Sequence, residues 1–372
     1  MNQNSYVKSL DGLRFVAVTL VLLDHWSNYR LGFQGSYLGV SLFFVLSGYL
    51  ITGILLKAKS ADISENRSHS RSLKLFYIRR TIRIFPLYYL VIFVLYLLNE
   101  PSIRQNLFWL ITYQTNNYIA YKGSWMGSYD HFWSLAVEEQ FYIFFPFLIF
   151  FVNNKYLPKA LLGLVILAVV LRFWFYINHS AWVVPFVLMP TSLDALGLGS
   201  LLAYFFHIKK DEEILSTLQI KIGLFLSLLA YCSIVFLINS QPNEHDFYTT
   251  VLLRLFEAIF SVFLIFSFVK INDKSAFTSV KQLLFENEAV VFIGKISYGI
   301  YIYHHFLYNI YYSTNNNFII KIFNKLNHFS AGLGENIFVQ MCILMPIVIL
   351  ISTISWYIFE KPINNLKERF KY

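Results

Sequence analysis

Three groups of side chains in this sequence have the types and spacing to do chemistry, and all lie in or beside long apolar runs. Arg14 and His25 stand eleven positions apart in SLDGLRFVAVTLVLLDHW. At about 100° per residue, that spacing returns to within roughly 20° of the same helix face. Both would then look into one cavity at different depths; the competing expectation is that they reach for opposite headgroup layers. An imidazole so placed can serve as a general base near neutral pH. Glu138 and Glu139, in FWSLAVEEQFYIFFP, fall in the same outer half as His25. Adjacent carboxylates point about 100° apart, so one of them faces the cavity. A carboxylate against His25 would orient the ring and raise its basicity, and Asp24 is a second candidate partner; a structural ion pair fits the same residues. Arg80 and Arg83, in YIRRTIRIFP, share a face at i, i+3. Two guanidiniums can grip a phosphate bidentately, and the phosphates of a nucleotide-like donor are the matching guest. Anchoring to cytoplasmic headgroups is the alternative reading.

Weaker candidates accompany these. Ser47 and Gly48, in GVSLFFVLSGYLIT, suit close helix packing. Asp194, in LDALGLG, and His304 and His305, in GKISYGIYIYHH, are candidate cavity groups. Cys232 and Cys342 read as small core residues. No HExxH, P-loop or cysteine cluster occurs, so metal-dependent hydrolysis and ATP-driven transport lack a motif, and no metal is expected.

The elements that must hold these residues follow from composition. The chain has 372 residues, 57% of them hydrophobic, 19% aromatic and only 14% charged, with mean hydropathy +0.53. Soluble domains carry about 25% charged residues, so a soluble enzyme is excluded. The net charge of +9 lies between apolar spans rather than on a solvated basic module, which argues against nucleic acid and for a topological signal. Runs long enough to cross a bilayer lie near 10 to 28, 36 to 56, 83 to 98, 132 to 152, 159 to 177, 183 to 206, 218 to 238, 249 to 269, 291 to 312 and 336 to 358. The expected fold is all-α and polytopic, ten helices around a central cavity, as one domain over residues 1–372. Placing both termini in the cytoplasm puts most Lys and Arg inside and leaves Arg30, Arg104, Lys122, Lys321 and Lys325 outside. Residues 57–83 form a basic cytoplasmic connection with a flexible stretch from Ser60 to Ser72, and residues 107–118 an interfacial or re-entrant piece. The retained first helix, without a cleavage site, argues against a signal peptide.

In this order, SLDGLRFVAVTLVLLDHW, FFVLSGYLIT, RRTIRIFPLYY, HFWSLAVEEQFYIFFP, ISYGIYIYHH and WYIFEKP resemble the integral-membrane family-3 acyltransferases, over nearly the whole chain. The likeness is to O-acetyltransferases that decorate bacterial surface polysaccharides. Some relatives append a C-terminal extracytoplasmic hydrolase-like domain; none is expected here before Tyr372. The resemblance implies that Arg14 and His25 match the essential first-helix pair, Arg80 and Arg83 the arginine pair, Ser47 to Tyr49 the SGY segment and Glu138 the tryptophan-glutamate motif. Tyr298, His304, Glu360 and Pro362 also fall on motif positions, whereas Asp24 is outside the pattern and Glu139 is secondary. The mechanism this implies has acetyl-CoA or another short acyl-CoA docking from the cytoplasm, its phosphates on Arg80, Arg83 and Arg14. His25, oriented by Glu138 or Asp24, would deprotonate a hydroxyl of a surface or lipid-linked glycan arriving from outside. Direct transfer and a path through acyl-histidine or acyl-serine both fit. The rival function is a transporter or flippase for a lipid-linked saccharide. The expected location is the cytoplasmic (inner) membrane.

Overall fold

The computed structural model describes residues 6–27, 34–209, 214–240, 247–271, 273, 275–311 and 317–370, the side chains of residues 308, 309 and 311 excepted. Arg30, Lys210, Lys274 and Lys371, which enter the charge-based orientation, lie outside the described residues. Ten helices dominate: α1 (Lys8–Trp26), α2 (Gly35–Ser64), α3 (His69–Leu97), α4 (Phe132–Phe151), α5 (Leu157–Ile177), α6 (Leu193–Ile208), α7 (Thr217–Ser240), α8 (Leu253–Lys270), α9 (Ser297–Tyr311) and α10 (Ile337–Ser355). Short helices connect them, and no strand occurs among the described residues.

Among the described residues, eight of the expected spans are long and apolar enough to cross a membrane, and α1 and α9 are not. α1 carries Asp11, Arg14, Asp24 and His25 in 19 residues. It lies inside the bundle, packed on α2, α8, α9 and α10, where charged groups need not meet lipid. The run near 291 to 312 is broken at Ile296 (φ −91°, ψ 7°) between Glu288–Lys295 and α9, which has 15 residues. The outer faces of the bundle carry exposed Phe93, Leu97, Phe144, Ile166, Val170, Phe225, Phe236 and Ile358. Apolar exposure on that scale is the surface of a multi-pass membrane protein.

The connection from 57 to 83 is mostly helical rather than flexible. α2 continues to Ser64 and α3 starts at His69. Asp62, 1% exposed, ties the turn together: it accepts from Ser72 Oγ at 2.8 Å, lies 3.0 Å from His69 Nδ1 and 3.8 Å from an Arg67 nitrogen. The buried Lys59 donates to the carbonyls of Ile149 and Val152 and to Asn154 Oδ1, at 2.6 to 2.9 Å, closing the C-terminal end of α4. Residues 107–118 form short helices, Leu107–Ile111 and the start of Thr115–Lys122, and do not cross the bundle.

α2 packs on α6 with their backbones in contact. A Cβ at Gly48 would stand 2.1 Å from the Leu196 carbonyl oxygen, and one at Gly199 2.1 Å from that of Val45. Only glycine allows this approach.

The expected span from 183 to 206 is not continuous. Val183–Val187 ends in an extended Leu188 (φ −69°, ψ 141°), a 3₁₀ turn follows over Pro190–Ser192, and α6 starts at Leu193. Irregular backbone at this depth needs internal partners. Arg254 Nη1 donates to the Phe186 carbonyl at 2.6 Å, and Arg172 Nη1 to that of Thr191 at 3.3 Å. Arg172 in turn pairs with Asp194 at 2.5 Å, both fully buried, while buried Glu257 accepts from Ser41 Oγ at 2.7 Å. Asp194, expected among the cavity groups, is thus the counter-ion of a backbone prop. Removing one partner of a buried pair typically costs about 3–5 kcal/mol. Asp194→Ala should therefore lower the melting temperature of the detergent-purified protein sharply. The paired change Arg172→Met with Asp194→Leu should lower it less, and equal losses would show that the uncompensated charge is not the cause. Gly199→Leu should also melt earlier, by about 1–3 kcal/mol of overpacking, with Gly163→Leu as the control, since a Cβ at Gly163 meets no neighbouring atom within 4 Å among the described residues.

Candidate active site

Five helices enclose a cavity of about 110 Å³. α1 contributes Arg14; α2 contributes Phe43, Phe44 and Ser47; α3 contributes Arg80, Arg83 and Ile84; α4 contributes Ser134, Glu138, Glu139 and Tyr142; α9 contributes Ser297, Tyr298 and Tyr301. α3 begins well before the apolar run near 83 to 98, so Arg80 and Arg83 sit within the helix rather than at its cytoplasmic entrance. Pro86 lies one turn further along.

The basic wall of the cavity is made of guanidiniums in different states. Arg14 is paired with Asp11 one turn back, and Asp11 also accepts from Tyr6. Arg80 lies over the Tyr142 ring, 4.9 Å from its centroid. Neither Arg80 nor Arg83 forms an ion pair among the described residues. Two guanidiniums in one cavity have the donor geometry to grip an anion with several oxygens, and they share that cavity with the carboxylates of Glu138 and Glu139.

Adjoining Arg80, the cavity is lined by a compact hydrogen-bonded set. Ser47 Oγ donates to Glu138 Oε1 at 2.7 Å, and Tyr142 OH donates to Glu138 Oε2 at 3.1 Å and stands 3.2 Å from Ser47 Oγ. The i, i+4 spacing of Glu138 and Tyr142 puts them on one face of α4. Glu139 also lines the cavity, 6% exposed, with its Oε1 lacking a hydrogen-bond partner. Tyr298 OH donates to the Ile84 carbonyl at 2.8 Å, tying α9 to α3.

His25 does not line this cavity; it belongs to a group of imidazoles next to it. His25 Nδ1 is 3.0 Å from His304 Nε2, and His304 Nδ1 is 2.6 Å from the Tyr301 carbonyl oxygen. His305 Nδ1 is 3.1 Å from the Ser128 carbonyl, and its ring lies parallel to that of buried His131, centroids 4.4 Å apart. The loop carrying Ser128 and His131 is braced by Asp130, which accepts from the amides of Met126 and Gly127 at 2.8 and 2.9 Å. Burial pushes this carboxyl up to about 6. Ligating atoms of His25, His304 and His305 fall within 4.8 Å of one another, the spacing a divalent cation would bridge. Tyr301 separates this group from the cavity: its hydroxyl meets Ser134 Oγ at 2.6 Å and the His131 carbonyl at 2.9 Å.

Arg14, Ser47, Arg80, Arg83, Glu138, Glu139 and Tyr298 therefore converge, and His25, His304 and His305 form the adjoining group. Neither Glu138 nor Asp24 is hydrogen-bonded to His25 here. Asp24, 1% exposed, accepts from Ser36 N and Oγ at 2.8 and 2.6 Å and holds the start of α2, where a carboxylate also suits the helix dipole. Tyr49 is not among the lining residues and sets its ring edge-on to Phe206. Glu360, 7% exposed, accepts from Ser355 Oγ at 3.1 Å, outside the lining set. The sequence reading missed Tyr142, Tyr301, Ser134 and His131. Tyr142, one turn after Glu138, and His131, at the head of α4, were open to a spacing argument; Tyr301 and Ser134 meet only through tertiary packing.

Comparison with known proteins bears on the whole of this region. The model of the family described as "Acyltransferase domain" matches residues 7–357. The peptidoglycan O-acetyltransferase OatA of Listeria monocytogenes is 32% identical over 331 residues, covering 81% of this chain and 49% of that protein. The O-acetyltransferase OatA of Staphylococcus aureus is 30% identical over 328 residues, covering 81% and 50%. The chain thus spans about half the length of the curated relatives it matches. No solved structure gives a significant match. With the matched region containing every wall of the cavity and the adjoining imidazoles, the chain belongs to the acyltransferase family.

Proposed function

We propose that this chain is a membrane O-acyltransferase that moves an acetyl group from acetyl-CoA, or another short acyl-CoA, to a hydroxyl of a cell-envelope glycan. The observation that carries the reading is one cavity shared by Arg80 and Arg83, which form no ion pair among the described residues, and the Ser47–Glu138–Tyr142 set. The proposed topology has ten crossings of the cytoplasmic membrane with both termini inside; α1 and α9 cross under the cover of their neighbours. The Listeria and Staphylococcus relatives, both O-acetyltransferases by name, support acetyl transfer, and the former supports peptidoglycan as the first acceptor to test.

On this reading the donor's phosphates rest on Arg80 and Arg83, with Arg14 held in reach by Asp11. The acyl thioester lies toward Ser47 and Glu138. The acceptor hydroxyl enters on the side of the histidines, and His25 takes its proton as the oxygen attacks the thioester carbonyl. Tyr301 stands between the two compartments, and a change of its side-chain rotamer joins them. A second route is favoured by one contact, the 2.7 Å hydrogen bond from Ser47 to Glu138: Glu138 takes the serine proton and Ser47 carries the acyl group. Mass spectrometry of the protein after donor alone separates the routes, since only the second leaves an acyl group on Ser47.

The test uses the full chain in lipid nanodiscs with acetyl-CoA and a peptidoglycan fragment, reading free thiol and acetylated product. His25→Ala should abolish acetyl transfer, by about 10²–10⁴-fold for a lost general base. Arg80→Ala and Arg83→Ala should each raise the donor KM by about tenfold or more, the loss of a charge-assisted contact worth about 1.5–3 kcal/mol. A donor KM unchanged in the double variant rules out the phosphate site. Movement of a lipid-linked saccharide without thiol release would support a flippase instead.

A further inference from the structure

The hydrogen-bond chain that reaches His25 starts at a backbone carbonyl, and a carbonyl can only accept. His304 Nδ1 stands 2.6 Å from the Tyr301 carbonyl oxygen, one turn back on α9, so Nδ1 carries a proton. A neutral imidazole has one N–H, which leaves the lone pair of His304 on Nε2. That nitrogen is 3.0 Å from His25 Nδ1, so His25 Nδ1 carries a proton in turn and the His25 lone pair resides on Nε2. The ring planes agree with this sequence of donors. They differ by 18°, with centroids 5.2 Å apart, so the N–H of one ring meets the in-plane lone pair of the other rather than its face. His304 is held in place by its surroundings. It is 0% exposed, and its own carbonyl accepts from Trp26 Nε1 at 3.4 Å, fixing α9 against the end of α1 that carries His25.

We propose that His304 is the positioning residue of the reaction. It holds His25 in the tautomer whose Nε2 receives the proton of the acceptor hydroxyl. This rests on the reading of His25 as the base. The step then balances as follows: the hydroxyl proton goes to His25 Nε2, the oxygen bonds to the acyl carbon, the carbon–sulfur bond breaks, and the departing thiolate takes the proton back from the imidazolium. His304 Nε2 accepts from His25 Nδ1–H throughout, and in the imidazolium that hydrogen bond becomes charge-assisted. Carboxylates commonly fill this place beside a catalytic histidine. Here the carboxylates nearest in sequence and in the cavity, Asp24 and Glu138, are occupied by Ser36, and by Ser47 and Tyr142.

The experiment compares His304→Leu, His304→Gln and His304→Asn with the unmodified protein in nanodiscs, at saturating glycan fragment and varied acetyl-CoA. His304→Leu, which cannot accept, should lower kcat about 100-fold, within the range of general-base effects, with the donor KM within about twofold of the unmodified protein. His304→Gln, whose amide oxygen reaches the position of Nε2, should recover at least about tenfold over His304→Leu, whereas the shorter His304→Asn should not. If His304→Leu does not fold, judged by its elution profile and melting temperature, the Gln and Asn variants decide between them, and equal activities overturn the proposal. It is also overturned if His304→Leu retains kcat within about threefold while His25→Ala is inactive; the base then stands without this support. If His25→Ala itself transfers acetyl normally, the base assignment has failed. One equivalent of a divalent cation in the purified protein, lost with activity on chelation, would likewise overturn it, because a metal on these nitrogens replaces the hydrogen bond.

Discussion

A helix that carries Asp11, Arg14, Asp24 and His25 cannot face lipid tails without a cost of several kcal/mol for each exposed charge. The fold resolves this by making α1 the axis of the bundle. Asp24 is satisfied by the first turn of α2, and Asp11 holds Arg14 at the edge of the cavity. His25 closes onto His304. α2 must lie close to both α1 and α6 to complete the enclosure. Its glycines make that possible, because at Gly48 the neighbouring backbone occupies the space a side chain would fill. Polar content, central position and glycine packing are one constraint seen at three levels.

That arrangement separates two kinds of chemistry along the bundle. Guanidiniums suited to anions and a carboxylate that holds a serine hydroxyl share one compartment. Neutral-capable imidazoles occupy the next, with Tyr301 between them. Tyr301 is bound into both compartments at once. Its hydroxyl belongs to the α4 side, through Ser134 and the His131 carbonyl, and its own carbonyl fixes the His304 tautomer. A shift of α9 at Tyr301 would disturb His304 through the carbonyl, whereas a change of the Tyr301 side-chain rotamer alone leaves that contact in place.

Much of this was legible in the sequence, and the exceptions have specific causes. Composition alone fixes a helical membrane protein, and the spacing of Arg80 and Arg83 predicts a shared face because local helix geometry is enough for that. The spacing of Arg14 and His25 predicts one cavity for both, whereas the structure places His25 behind Tyr301, because helix periodicity gives direction but not what lies in between. Glu138 against His25 was a tertiary inference from depth alone, and two local donors, Ser47 and Tyr142, take that carboxylate. The less apolar residues beside the breaks, Pro190 to Ser192 after Leu188 and Lys295 and Ser297 around Ile296, are too few to interrupt an average over about 20 residues, so each run reads as one span.

Intramembrane arginines illustrate why residue type is insufficient and partners decide. Arg172 and Arg254 are as deeply placed as any charge in the chain, yet each spends its donors on a carbonyl released by the interruption between Val187 and Leu193. Asp194 neutralises the first, and the Ser192 hydroxyl adds to the second at 3.1 Å. These arginines answer the break before Pro190, which has no N–H to offer the Phe186 carbonyl four residues back and so leaves an acceptor that lipid cannot satisfy. Arg80 and Arg83 have no such debt: α3 runs through them as helix, no ion pair reaches them among the described residues, and the cavity lies in front. A guanidinium is costly to hold at this depth unless it meets an acceptor. The first pair meets its acceptors within the fold; the second faces a cavity it shares with the carboxylates of Glu138 and Glu139, which form no ion pair with it among the described residues.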